Sequence, residues 1–300
     1  MKKLLIARLF FALFLTKVYA EIPDIERAGR LSMALVVALI AVIIVLFDIG
    51  VFTNFLTSFK SSADISAYPP KWIFRPVLDN YLNVLGKGGY DFGRFISNSF
   101  IIALVSSFLA VAVTIPAAYS IVRYHGFGDT ILSATMLLRL MPALAFAIPV
   151  FLIFNRLRML DTKTSIIFMH TLFITPTSLL LFIGYIQDLP KEIEEAAMID
   201  GASTLQILAR ILVPVLRPGI ASTAILGFIT SWNEYLFSGI LSFKKAVTAT
   251  VGTSFFITSY QVEWGNMAAA IMVSSIPTIL FIFVAQKSLV SGMTAGSVKG

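Results

Sequence analysis

DLPKEIEEAAMIDGASTLQILARILVPVLRPGIA, residues 188–221, is the longest water-suited run in the second half of the chain. Uninterrupted apolar segments flank it on both sides. Five acids fall within thirteen residues: Asp188, Glu192, Glu194, Glu195 and Asp200. Pro190 suits the first turn of a helix, where its missing N–H costs nothing. Glu192, Glu194 and Glu195 then sit near the positive end of that helix. Gly201 suits the C-terminal cap. Ser203, with Gln206 three residues on, reads as a capping box opening a second short helix. Pro214 and Pro218 end that helix, because neither continues the hydrogen-bond ladder. The pattern predicts a helix–turn–helix between two membrane spans. Small Ala196 and Ala197 let another surface approach closely.

Composition agrees with spans on either side. Hydrophobic residues make up 58% of the chain, charged residues 13%, and the mean hydropathy is +0.89. Soluble domains carry roughly 25% charged residues. Apolar runs recur near the ~20-residue spanning length. The expected class is an all-α polytopic membrane protein, and no period-two alternation points to a β-barrel. The chain has no cysteine, which excludes disulfides and thiolate metal sites. Its net charge of +7 is dispersed and fits membrane orientation better than nucleic-acid binding.

Six spans are expected, at about residues 31–51, 98–122, 130–154, 165–186, 219–240 and 266–285. Before them, residues 1–20 have the basic start, apolar centre and Val18/Ala20 spacing of a signal peptide, interrupted by Arg8. Asp48 lies near the far end of the first span. In the long loop that follows, Pro69, Pro70 and Pro76 force extended structure. Trp72, Phe74 and Tyr81 there suit an interfacial aromatic belt. Pro116 kinks the second span. His125, in the turn after it, reads as a solvated residue, since no metal-ligating partner accompanies it.

Arg139 is the one full charge inside the third span, beside Pro142 and Pro149. It needs a partner acid, a carbonyl or a watery cavity, unless the span starts later and leaves it an interfacial anchor. In the fourth span Pro176 frees a carbonyl near Thr175. His170 reads as a packed interhelical residue; a proton relay needs acids at its depth, and that span has none. The fifth span ends in Thr230-Ser231-Trp232-Asn233-Glu234-Tyr235. Two readings stand there: a polar lining, or an interfacial belt with a snorkelling acid. Gly292 and Gly296 form a GxxxG pattern that falls outside the expected spans.

Glu195-Ala196-Ala197, Asp200-Gly201-Ala202 and Pro214 resemble the cytoplasmic "EAA" loop of permease subunits in binding-protein-dependent ATP-binding cassette (ABC) importers. In that family the loop is the coupling helix, which docks in a cleft of the ATPase. Trp232-Asn233-Glu234 resembles a stretch of the sugar-importer branch. Ser58-Phe59-Lys60 and Asn80-Tyr81 are similar to its first periplasmic loop. Ser291-Gly292-Met293-Thr294-Ala295-Gly296 with Val298-Lys299-Gly300 is similar to the tail of maltose-type permeases.

The resemblance covers residues 31–300. It implies the type I importer permease fold with a six-span domain at 31–287 and a coupling helix at about 190–202. An N-terminal segment, 1–30, is expected to be cytoplasmic or to lie in plane as an amphipathic helix. Residues 288–300 form a cytoplasmic tail. Cleavage after Ala20 would invert every later loop, so an uncleaved segment fits better. With both termini in the cytoplasm, twelve Lys/Arg fall inside and ten outside.

The implied function is ATP-driven import of a carbohydrate through a bacterial inner-membrane permease. The implied partners are a second permease subunit, two ATPase subunits, an outer substrate-binding protein and membrane lipid, with no nucleic acid. Coupling falls to Glu195, Ala196, Ala197, Asp200, Gly201, Ala202 and Pro214. The candidate substrate pathway comprises Trp232, Asn233, Glu234, Arg139 and Thr175. No cofactor, metal or catalytic residue is expected. The chain lacks the GxxxxGK[ST] phosphate loop, and Gly86-Lys87-Gly88 is not one. Rival readings are an ion-coupled secondary transporter, which needs ionisable groups near the midplane, a membrane enzyme, and a permease for a non-sugar solute.

Overall fold

The computed structural model describes residues 30–87, 90–124 and 128–295. Residues 1–20, His125, Gly88 and Val298-Lys299-Gly300 lie outside them, and so do the readings made there. The chain divides into two units, Met1–Asn54 and Phe55–Gly300. The first holds most of α1 (Arg30–Thr57), a 28-residue helix. At about 1.5 Å per residue it exceeds the ~30 Å hydrocarbon core. It continues past Asp48, which is exposed on it.

The second unit contains α2 (Phe92–Tyr124), α3 (Gly128–Leu140), α4 (Ala147–Arg156), α5 (Lys163–Gln187), α6 (Glu192–Ile199), α7 (Arg217–Trp232), α8 (Leu236–Leu241) and α9 (Trp264–Ala295). Among the described residues, α2, α5 and the Trp264–Phe283 part of α9 are each long and apolar enough to cross a membrane. Thr204–Val215 and α7 pass that test only as a pair, bent by 80°. Strand-like pairing among the described residues is confined to the bridge Ile257–Val262.

This differs from six unbroken spans. The expected third span is interrupted: α3 stops at Leu140, Ala143–Phe146 forms a 3-10 turn, and α4 begins at Ala147. Pro142 is the cause, because its ring disfavours helical Met141 and it brings no N–H. Pro149, by contrast, falls in the first turn of α4, where a proline is tolerated. Pro116, Pro176 and Pro277 are carried inside α2, α5 and α9. The expected end at Pro214 is also displaced. A π-turn over Leu208–Leu212 precedes Val213–Val215, and the chain bends after it, at Leu216. The C-terminal stretch expected as a tail from residue 288 is helical through Ala295.

Helix α2 lies at the centre. It packs along α5 and α7, and α7 packs on α9. Its buried face is polar and small as well as apolar: Asn98, Ser99, Ser106, Ser107 and Thr114 alternate with Ile102, Ala103 and Ala110. In lipid, close packing by small residues replaces the hydrophobic drive between helices. Gly219 shows how close: a Cβ there would meet the Tyr185 ring at 2.7 Å. The loop of residues 188–216 is fixed to the bundle by its own apolar cluster. Ile207, Leu212 and Leu216 join Tyr119, Val122, Phe182 and Ile186 from the ends of α2 and α5.

Candidate functional site

Helix α6 follows α5 after a four-residue turn. Its first helical residue is Glu192, so Pro190 lies just before the helix rather than inside its first turn. Three glutamates occupy that first turn, as the helix dipole favours. The helix ends on Gly201, whose φ of +83° is open to glycine at no steric cost. The Gly201 N–H donates to Met198 O at 3.0 Å, and the Ala202 N–H to Ala197 O at 2.9 Å. That pair of bonds is a Schellman closure. Ser203 and Gln206 then exchange both capping-box bonds and open Thr204–Ile207.

The two faces of this element differ. Glu194 is buried, which the acid-rich sequence did not signal. Its Oε1 accepts from Arg123 Nε at 2.9 Å and Nη2 at 2.6 Å. Arg123 Nη2 also donates to Ile186 O and Leu189 O at the end of α5. One guanidinium thus ties the ends of α2 and α5 to α6. Ala197 and Ala202 pack inward against the apolar cluster, and Pro214 is half-buried. Glu195, Ala196, Asp200 and Gly201 face solvent. Beside them stand large apolar side chains: Ile199 is 86% exposed and Leu205 76%. Ile193 and Met198 are about half exposed in the same stretch. These exposed apolar residues lie on α6 and the turn of helix that follows it, an element anchored on its other side.

The candidate pathway residues are not brought together in one lining. Trp232 is buried and stacks on Phe228 at 5.6 Å. Asn233 is exposed just past the end of α7. Glu234 turns back into the protein. Its carboxylate accepts the N–H groups of Phe237 and Ser238 at 2.8 and 3.0 Å, capping α8. It also meets His170 Nε2 at 2.9 Å, while His170 Nδ1 lies 2.6 Å from Ser231 Oγ. His170 is therefore packed between helices as expected, but an acid does share its depth. That acid comes from beyond α7, and a search confined to α5 misses it. Arg139 is exposed and donates to Thr177 Oγ1 at 3.2 Å. Thr175 bonds the Thr171 carbonyl within its own helix.

The turn between α4 and α5 is organised by one residue that the sequence did not single out. Asp161, at φ +58°, accepts the backbone N–H groups of Phe243, Lys244, Lys245 and Ala246 at 2.9–3.1 Å. Burial alone would raise its pKa, but these four amides outweigh burial and hold the carboxyl below its ordinary range. In the first long loop, Asn80 bonds the carbonyls of Ser58 and Lys60. The Lys60 ammonium lies over Trp72 and Phe74, 5.8 and 5.2 Å from the ring centroids. The aromatics expected in an interfacial belt thus include two that hold a cation. Among the described residues no group of His, Cys, Asp and Glu could hold a metal.

Residues 110–294 match the family model described as binding-protein-dependent transport system inner membrane component. The chain belongs to this family. The permease is 35% identical over 244 residues to a probable ABC transporter permease protein of Sinorhizobium fredii, covering 81% of this chain and 87% of the relative. It is 33% identical over 230 residues to the trehalose/maltose transport system permease protein MalG of Thermococcus litoralis, covering 76% and 83%. Its fold matches a bacterial ABC transporter involved in import of the acidic polysaccharide alginate, with a TM-score of 0.69, 22% identity and coverage of 89% and 99%. The architecture is the type I ABC importer permease fold. The permease is a multi-pass inner-membrane protein and the non-catalytic part of its transporter.

Proposed function

We propose that this permease imports a carbohydrate, driven by an ATPase that grips the α6 element. The observation that carries the docking reading is the two-faced α6. One face is locked to α2 and α5 through Arg123 and Glu194, and the other offers Glu195, Ala196, Asp200, Gly201, Ile199 and Leu205 to a partner. Force applied to the exposed face passes into two central helices through a buried ion pair and a shared apolar cluster. Ala197, Ala202 and Pro214 serve the same coupling from the inner side, by fixing the element's seat. Alternating access needs a two-state element biased by a ligand, and the 80° bend between Thr204–Val215 and α7 is a fitting place for it.

The partners in this reading are a second permease subunit, two ATPase subunits and a substrate-binding protein outside the membrane. The α6 element and both termini then lie in the cytoplasm. The permease domain spans 31–287, with 1–30 as a cytoplasmic or in-plane segment and 288–300 reaching towards the ATPase. Of the Trp232-Asn233-Glu234 stretch, Asn233 is the exposed residue and is the one assigned to meet substrate in this reading; Trp232 packs on Phe228 and Glu234 caps α8. In this reading Arg139, which is exposed, adds a polar group to the pathway, while the Thr175 hydroxyl is turned to the Thr171 carbonyl of its own helix. The carbohydrate class rests on relatives such as the trehalose/maltose permease and the diacetylchitobiose uptake permease of Streptomyces coelicolor. Disaccharides, polyols and glycerol phosphates all fall within that class of cargo.

The test is Gly201→Asp in the assembled transporter. It places a charge and a Cβ at φ +83°, on the exposed face, where nothing of this chain lies within 4 Å of the added atom. Uptake of the cognate sugar is expected to vanish while the protein stays in the membrane. Unchanged ATP-dependent uptake would refute the docking role. Ligand binding by the cognate binding protein reads the cargo class separately, and an amino acid or peptide there would overturn the carbohydrate reading alone.

A further inference from the structure

An apolar groove opens beside the turn that Asp161 organises. It is lined by residues of α4, the turn and α5, among them Val150, Ile153, Phe154, Phe168, Met169 and Phe173. Its volume is about 400 Å³. That lies within the roughly 300–1,000 Å³ of small-molecule pockets. Thr164 supplies the single hydroxyl among its lining residues. Ile153, Leu157 and Phe168 are each more than half exposed along it.

The turn beside the groove is basic. Leu157, Met159 and Thr164 line the groove, and Arg156, Arg158 and Lys163 are their immediate neighbours in the chain. Arg156 and Arg158 are exposed. The Asp161 carboxylate draws the backbone of Lys244 and Lys245 to the same turn, and both of those side chains are exposed. None of these five cations has an acidic partner among the described residues. Asp161 is the one acid in the turn, and its oxygens are committed to four backbone amides.

An apolar groove beside a turn that carries uncompensated cations, next to the start of a spanning helix, matches an amphiphile with an anionic head. We propose that this groove is a binding site for an anionic phospholipid. One acyl chain lies against Ile153, Phe168 and Phe173, and the phosphate is held by Arg156, Arg158 and Lys163, with Lys244 and Lys245 adding to the field. Arginine is suited to phosphate because its fork donates two parallel hydrogen bonds. A transmembrane helix of another subunit would fill the slot equally well by shape. It would leave the cations without counter-charge, and charge is what selects the lipid.

The test uses the assembled transporter purified in mild detergent. Native mass spectrometry follows retention of phosphatidylglycerol against phosphatidylcholine of the same acyl chains. The wild type is expected to hold phosphatidylglycerol preferentially. Combined Arg156→Gln, Arg158→Gln and Lys163→Gln should reduce that preference on the order of a hundredfold, given the contribution of each basic residue near an anionic surface. Leu172→Trp, which fills the groove, should weaken both lipids alike. A photoactivatable phosphatidylglycerol should label peptides within residues 146–173 of the wild type, which keeps the test independent of whether the variants fold. Equal retention of the two lipids would overturn the proposal. So would labelling elsewhere, or a photo-crosslinker at Phe168 that captures a permease subunit instead of lipid.

Discussion

Arg123 and Glu194 retain 8% and 6% of their side-chain exposure, and they form a buried ion pair where α2 and α5 end beside α6. Removing either partner strands the other charge, which costs about 3–5 kcal/mol. Arg123→Ala should therefore destabilise the permease by about that amount, with α6 released first. Thermal unfolding in detergent, read together with hydrogen exchange over residues 192–202, checks both parts. Glu194→Gln keeps a carbonyl acceptor and should cost less. If Arg123→Ala left the α6 amides protected, the guanidinium would not be what anchors the element.

Asp161 acts at the opposite end. Hydrogen bonds to a charged acceptor contribute about 1.5–3 kcal/mol each, although several on one carboxylate do not add in full. Asp161→Asn should loosen residues 243–246 and lower stability by about 1–3 kcal/mol, read as faster amide exchange there. The pH dependence has a fixed sign. The folded-state carboxyl is depressed, so its stabilisation is complete above the ordinary aspartate value near ~3.9 and is lost as pH falls through the lower folded value. Between pH 5 and 8 the turn should be insensitive to this group. A loosening of 243–246 within that window would rule out the carboxylate as its cause.

At the scale of elements, α6 is closed by local chemistry at both ends. Ser203→Ala removes the capping box and should cost about 1 kcal/mol. Gly201→Ala introduces a Cβ at positive φ and should cost about 1–2 kcal/mol while leaving the docking face uncharged. Transport by Gly201→Ala should persist where Gly201→Asp abolishes it, and sugar uptake at matched expression separates them. Equal loss in both would make the defect one of folding, not of docking. The α3–α4 break shows how one proline divides an element. Pro142→Ala restores an N–H donor but not the surrounding packing.

At the scale of the whole molecule, the second unit is built on a central helix, α2, clasped by α5 and α7. Ile199 and Leu205 are 86% and 76% exposed, and the proposed docking of the ATPase would cover them. Ile199→Asp should reduce co-purification of the ATPase at least several-fold while leaving the melting temperature of the isolated permease within about 2 °C, since an exposed substitution changes stability by less than about 0.5 kcal/mol. Undiminished ATPase recovery would show that the motor binds elsewhere.

The local grammar of residues 188–221 was legible because caps and turns depend on neighbours in sequence. Gly201, Ser203 and Gln206 do in the structure what their spacing predicts. Apolar runs of spanning length likewise declared the membrane class, since lipid sets a length that any sequence must meet. What only the tertiary structure decided involves partners more than sixty residues apart: Arg123 with Glu194, His170 with Glu234, Asp161 with the amides of 243–246. A charged residue looks the same in sequence whether it faces water, lipid or a counter-ion. Its role is fixed by which helix end packing brings beside it, and that is a property of the assembled bundle.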